Sequence, residues 1–295
     1  MKRPEDHLPF TKMQGVGNDF VVVDGRDLRD PGWSGLAREV CHRHFGIGAD
    51  GLLVIERSHR ADAAMRMYNP DGTPDMCGNG LRCVARYVAD SAAGSRARPG
   101  ADGALTIATL AGMRAAAVRY APGGECSVTV DMGLPRFAPV DIPMRVSGQR
   151  VTDYPLEVDG EVLPVTALST GTTHAVILVD ELPDEETFRR LSPRIENHPL
   201  FPERTSVMWT LREGEALRVR IWERGAGETW GCGTGACAAA VAARLHGLVG
   251  EDVEVRSKGG AVTVHLRDGE ALAQTGPAEY VFEGRYALDP DGQAA

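Results

Sequence analysis

Two short stretches of this 295-residue sequence repeat one design. The first runs Met76-Cys77-Gly78-Asn79-Gly80-Leu81-Arg82-Cys83. The second runs Gly231-Cys232-Gly233-Thr234-Gly235-Ala236-Cys237-Ala238. Each sets a cysteine, then Gly-x-Gly, at the mouth of a helix-prone run. The leading cysteines lie 155 positions apart (232 minus 77), half the chain. Duplication on that scale constrains the fold to two similar halves, each with one marked helix entered through a thiol. Two equivalent thiols from two similar halves point to one site at a pseudo-symmetric interface. Chemistry that needs like groups on opposite faces of one carbon is racemisation.

The local physics supports that reading. A helix N-terminus carries unpaired N–H groups and a partial positive charge. A thiol placed there has its thiolate stabilised, below the free value of about 8.5. Gly-Asn-Gly and Gly-Thr-Gly leave the backbone bare, so a carboxylate can approach those N–H groups closely. One cysteine, as thiolate, can take an α-proton, and the other, as thiol, can return one to the opposite face. Amide donors aimed at the carboxylate disperse the carbanion's charge. No cofactor is required for this. Cys41, Cys83, Cys126 and Cys237 lack such a context and read as core filler.

The length suits one large domain or two of roughly 150 residues. Hydrophobic content of 43% with 25% charged residues allows an ordinary core. A net charge of -9 argues against a nucleic-acid partner. Lys2, Lys12 and Lys258 are the only lysines, which narrows the options for a pyridoxal Schiff base. No Cys-x-x-Cys pair occurs, so no metal centre of the zinc-ribbon kind is expected. Met1 to Phe10 is polar and has no apolar signal core. No run approaches the roughly 18 apolar residues of a membrane span. The expectation is a soluble cytoplasmic protein with reduced thiols and no membrane partner.

Along the chain, Phe20–Asp24, Leu52–Ile55 and Ala64–Tyr68 read as strands, and Ser34–Phe45 as a helix stopped by Gly46. Asn69-Pro70-Asp71-Gly72 has turn chemistry. A helix follows Cys77 to about Asp90, then a small-residue loop over Ser91–Asp102. Leu105–Thr109, Met113–Tyr120 and Cys126–Asp131 are short strands. The second half repeats the pattern with strands Val162–Leu168, Ala175–Val179 and Leu217–Trp222 and a short helix Glu185–Leu191. Gly225-Ala226-Gly227 loops into the second cysteine helix. Val253–Val255, Ala261–Leu266 and Glu279–Phe282 close the chain as strands.

At these residues the chain resembles the diaminopimelate epimerases, pyridoxal-independent enzymes that interconvert the LL and meso forms of diaminopimelate. The resemblance runs nearly end to end. It is carried by Gly15-Val16-Gly17-Asn18-Asp19-Phe20, Gly46-Ile47-Gly48-Ala49-Asp50, Asn69-Pro70-Asp71-Gly72 and Cys77-Gly78-Asn79-Gly80. It continues in Phe201-Pro202-Glu203-Arg204 and in Glu223-Arg224-Gly225-Ala226-Gly227-Glu228-Thr229, with Cys232-Gly233-Thr234-Gly235 after it. It implies an α/β (α+β) fold of two pseudo-symmetric domains, each a mixed strand barrel around a central helix. Residues 1–130 with a returning strand in 277–295 would form the first domain and 131–276 the second, with the active site in the cleft between them. It also implies an isomerase of lysine biosynthesis that uses no cofactor. Its partner would be a small-molecule amino acid; a homodimer is left open.

Carried over by position, Cys77 and Cys232 would be the acid/base pair. His174 and Glu223 would lie beside the thiols, to orient the substrate amine or set protonation. Gly78, Asn79, Gly233 and Thr234 would hold the reacting carboxylate, with Asn18 in the binding site. Asn69 and Arg224 would hold the far end of the substrate.

Two positions depart from the family pattern. The usual Gly-Asn-Pro-His is here Gly171-Thr172-Thr173-His174, and Ser206 stands where an asparagine usually follows Phe-Pro-Glu-Arg and one further residue. A hydroxyl is shorter than an amide and offers one donor rather than two. Thr172 and Ser206 are therefore where a changed substrate would register. The same chemistry on another amino acid is the near alternative. A non-catalytic amino-acid-binding protein is a third reading, opposed by the retention of both cysteines. A thiol redox protein is a fourth; it leaves the two Gly-x-Gly cradles unexplained.

Overall fold

The computed structural model describes residues 7–92 and 103–288. The chain divides into two compact units: Met1–Val130 with Gly276–Ala295, and Asp131–Thr275. The described residues hold helices α1 (Trp33–Val40), α2 (Gly78–Ala92), α3 (Glu185–Glu196) and α4 (Gly233–Leu245). Among them, no helix is long and apolar enough to cross a membrane.

The first unit's strands follow the order Glu279–Ala287, His7–Gly15, Asn18–Asp24, Gly51–Glu56, Ala63–Tyr68, Gly103–Thr109, Gly112–Tyr120, Cys126–Gly133. The pairings run antiparallel, antiparallel, parallel, antiparallel, parallel, antiparallel, antiparallel. The second unit's order is Val151–Val158, Glu161–Ser169, Thr173–Val179, Ser206–Glu213, Ala216–Glu223, Asp252–Ser257, Gly260–His265, Leu272–Pro277, with the same succession of pairings. Parallel neighbours cannot be joined by a tight hairpin and need a crossover, usually a helix. The parallel pairs are where the helices fall: α1 and α3 join the first such pair of each unit, α2 and α4 the second.

Helix α2 packs on six strands of its unit and α4 on six of its own, so each is central. Every residue of α4 from Gly233 to Ala243 is buried. A helix buried all round needs small apolar side chains, and Gly233–Ala243 is rich in glycine and alanine. The strands beside it are buried on both faces. Leu52 and Val54 pack with Trp33, Leu36 and Val40 of α1, while Leu53 turns the other way, to α2. Likewise Val207 and Trp209 pack with Phe188, Leu191 and Ile195 of α3, while Met208 turns to α4. Double burial explains the near-continuous apolar runs there.

Several expectations change in detail. Helix α1 ends at Val40, not Phe45, because Ile47 and Gly48 double back to donate to Val40 O. Helix α3 runs on through Pro193 to Glu196, since Ser192, Ile195 and Glu196 are buried and tertiary packing outweighs the lost N–H. Strands His7–Gly15, Val151–Val158, Ser206–Glu213 and Leu272–Pro277 were not anticipated. The first carries Pro9 and Lys12, and the second Pro155. Among the described residues Val151–Val158 pairs with Glu161–Ser169 alone, and on an edge strand a missing ladder donor is tolerated. The loop foreseen over Ser91–Asp102 lies outside the described residues beyond Ala92, as does Met1–Asp6 of the polar N-terminus.

Candidate active site

Both leading cysteines act as helix N-caps with sulfur in place of the usual oxygen. Gly80 N donates to Cys77 Sγ at 3.4 Å and Gly235 N to Cys232 Sγ at 3.3 Å. Leu81 N and Ala236 N close the first helical turns onto Cys77 O and Cys232 O. Neither α2 nor α4 has an acidic residue in its first turn, so the positive end of each dipole is left for a ligand. The second glycine of each motif is required by packing. A Cβ on Gly80 would lie 2.9 Å from Leu53 Cδ2, and one on Gly235 only 2.5 Å from Met208 Sδ. Leu53 and Met208 hold the same place, third in the fourth strand of their unit's order.

In the first unit Cys77 is joined by Asn18 and Asn79. The Cys77 thiol donates to Asn18 Oδ1 at 3.5 Å, and Asn79 Nδ2 donates to the same oxygen at 3.1 Å. Asn18 Nδ2 donates to Asp50 Oδ2 at 2.7 Å. Arg82, fully buried, donates to Asn79 Oδ1 at 2.7 Å. Gly78 opens α2 directly after the cysteine. Asn69 is engaged in its own turn, with Nδ2 at 3.2 Å from both Thr73 Oγ1 and Asp75 Oδ2.

In the second unit a line of hydroxyls runs from Cys232. Its sulfur lies 3.4 Å from Thr234 Oγ1, which lies 3.4 Å from Thr172 Oγ1, which lies 3.5 Å from His174 Nδ1. His174 Nδ1 also donates to Thr172 O at 2.9 Å. That bond fixes the tautomer and leaves Nε2 as an acceptor; it is buried and has no partner among the described residues. Burial, with the nearby positive charge of Arg224 second, pushes the His174 imidazolium down to about 3. The ring is therefore neutral at physiological pH. Gly233 O accepts from Gln274 Nε2, which anchors the first turn of α4.

Glu223 ends the strand Ala216–Glu223, and its Oε1 accepts from Thr229 Oγ1 at 2.5 Å. Arg224 follows it. Ser206 Oγ accepts from Arg224 N at 3.1 Å, so this hydroxyl braces the arginine's backbone. Arg224 Nη1 donates to Glu203 O at 3.2 Å. The carboxylate of Glu196 accepts from Gly225 N at 2.8 Å, from Trp222 Nε1 at 2.7 Å and from Arg204 Nη1 at 3.1 Å. The structure thus gathers Cys77, Asn18 and Asn79 in one unit, and Cys232, Thr234, Thr172 and His174 in the other. Arg224 and Ser206 form a neighbouring pair.

Sequence reasoning missed Asp50, Arg82 and Glu196. Asp50 ends a Gly-rich motif already singled out, and Arg82 follows the first cysteine motif; both could have been questioned. Glu196 sits in an unremarkable helix and gave no signal. Among the described residues no cluster of three or more His, Cys, Asp or Glu could hold a metal ion. All six cysteines are free thiols.

The family model described as diaminopimelate epimerase matches residues 10–138 and 166–281. A diaminopimelate epimerase of Desulfovibrio desulfuricans is 43% identical over 290 residues, covering 95% of this chain and 99% of the relative. One from Pelotomaculum thermopropionicum is 44% identical over 283 residues, covering 95% and 99%. Among solved structures, a hydroxyproline epimerase from Agrobacterium vitis aligns with a TM-score of 0.72 at 19% identity, covering 99% of this chain and 96% of that one. At that identity the likeness concerns the fold alone.

Proposed function

The chain belongs to the diaminopimelate epimerase family, and from that premise we propose that it interconverts the LL and meso forms of 2,6-diaminopimelate by a two-thiol acid/base reaction. The observation that carries the reading is the matched pair of sulfur N-caps, Cys77 on α2 and Cys232 on α4, each with the helix N–H at the third position donating to it.

In this reading one cysteine takes the α-proton as thiolate while the other gives a proton to the opposite face as thiol. The reverse reaction exchanges the two roles. The N–H groups of Gly78, Asn79, Gly233 and Thr234 receive the α-carboxylate, where they stabilise the charge that develops in the carbanion. His174, neutral with Nε2 as a lone-pair acceptor, suits the substrate ammonium, and Glu223 balances its charge. Arg224 offers the planar fork that a distal carboxylate fits, on a backbone braced by Ser206 and Glu196. Asn18 sits on Cys77, and Asn69 is the distal-end candidate of the first unit. No step calls on a cofactor.

Thr172 supports a second reading, the same reaction on another amino acid, since its hydroxyl is turned to Thr234. One experiment separates the two. The reduced protein is incubated in D2O with LL-diaminopimelate and, separately, with other L-amino acids, and α-deuteration is followed by mass spectrometry and chiral separation. Deuterium uptake with diaminopimelate, giving the meso product, is the expected result. Uptake confined to a different amino acid would reassign the substrate, and none at all would overturn the proposal.

A further inference from the structure

Asn18 and Asn79 stand between two charged side chains that have no role in the chemistry above. Arg82 Nη2 donates to Asn79 Oδ1, Asn79 Nδ2 donates to Asn18 Oδ1, and Asn18 Nδ2 donates to Asp50 Oδ2, at 2.7, 3.1 and 2.7 Å. All three bonds point the same way, from cation to anion. Both ends are anchored. Arg82 is fully buried, with Nε donating to Pro277 O at 3.2 Å. Asp50 also accepts from Arg43 Nη2 at 2.7 Å and from Asp19 N at 3.3 Å.

A side-chain amide taken alone can exchange its oxygen and nitrogen at little steric cost. Here neither amide can, because a carboxylate only accepts and a guanidinium only donates. Asn18 must turn its NH2 to Asp50, and its carbonyl then accepts from the Cys77 thiol at 3.5 Å. The opposite orientation would aim NH2 at sulfur. A carbonyl acceptor favours the protonated thiol and an amide donor favours the thiolate. Gly80 N already donates to this sulfur, so Asn18 works against the helix terminus.

We propose that Asp50 and Arg82 are positioning residues that lock the Asn18 carbonyl onto Cys77 and keep that cysteine's proton in place for delivery to the substrate. The inference rests on Cys77 being one of the two acid/base groups, but its test reads the thiol without turnover. An inactive protein would therefore sink the proposed function and leave this result legible.

The test is the pH dependence of Cys77 alkylation by iodoacetamide in the reduced full-length protein, followed on the Cys77 peptide by mass spectrometry. Asp50→Asn combined with Arg82→Gln lets both ends of the chain donate as well as accept, which releases Asn79 and Asn18 together. The expected result is a lower midpoint for Cys77 and alkylation at pH 7 faster by about three- to tenfold, with Cys232 unchanged. The shift should persist in 1 M salt, where the screening length is about 3 Å. Asp50→Asn alone, in which Arg82 still fixes Asn79, should shift the midpoint less than the combined change. An unchanged midpoint overturns the proposal. So does a shift that vanishes in high salt, which would mean that the carboxylate acts through space. Faster alkylation of both cysteines at every pH, with a lower melting temperature, would show a merely structural role and overturn it too.

Discussion

Six cysteines share one chain, and position alone separates two of them from the rest. Cys77 and Cys232 cap helices. Cys41 and Cys83 lie in cores, where burial pushes each thiol up to about 12, and burial also raises Cys126. Iodoacetamide at pH 8 should therefore label Cys77 and Cys232 in the native protein and spare Cys41 and Cys83; peptide mass spectrometry reads the order, and early labelling of Cys83 would contradict it. His174 makes a second residue-scale prediction. Its folded value, near 3, lies below its unfolded value, near 6.5. The unfolded chain binds the extra proton between those values, so the stabilisation is complete above pH 6.5 and is lost as pH falls toward 3. At pH 4.5 the loss from this one group should be about 2 to 3 kcal/mol. Denaturant titrations at pH 7.5 and 4.5 should show a smaller drop for His174→Gln than for the parent, and equal drops would count against it.

At the scale of elements, the Gly-x-Gly motif does two jobs. The N–H of its second glycine caps the cysteine sulfur, and the missing side chain of Gly235 lets α4 press onto the strand Ser206–Glu213. Gly235→Ala would set a methyl 2.5 Å from Met208 Sδ and 2.6 Å from its Cε. Methionine is flexible, so the expected cost is about 1 to 2 kcal/mol. Met208→Ala in the same chain should recover part of that cost. A double-mutant cycle by urea denaturation measures the coupling, and strictly additive costs would argue against this contact. The Arg224 segment is a second element held by remote groups. Glu196, on α3, binds Gly225 N, and Ser206 binds Arg224 N. Glu196→Ala should raise KM for diaminopimelate more than it lowers kcat; the opposite split would place Glu196 in the chemical step instead.

The whole molecule repeats one topology, with a permutation. In the second unit the first strand of the order precedes the rest in sequence. In the first unit that strand, Glu279–Ala287, comes from the far end of the chain and pairs along His7–Gly15. It is tied further by Tyr280 Oη donating to Asp90 Oδ2 at 2.9 Å and by Arg86 donating to Ala278 O. Removing residues 276–295 should expose the first unit to trypsin while fragments from 131–275 persist. Equal loss of both units, read by mass spectrometry of a timed digest, would contradict that division.

Much of this was open to reading because the signals are local. A thiol before Gly-x-Gly, a Pro-Asp-Gly turn and apolar runs buried on both faces are properties of neighbours in sequence, and they determined the doubled plan, the two cysteine helices and most of the strands. His7–Gly15, with its buried lysine, escaped, since its pairing with Glu279–Ala287 is decided by a segment far along the chain: Lys12 is paired with Asp19 and also bonds Gly48 O. The same holds for side-chain direction. Thr172 and Ser206 stand out in the sequence, yet only the tertiary structure turns one hydroxyl to Thr234 and the other to the Arg224 backbone. Asp50 and Arg82 belong with them, because a hydrogen bond is directional and a side chain's partner is set by where remote segments meet.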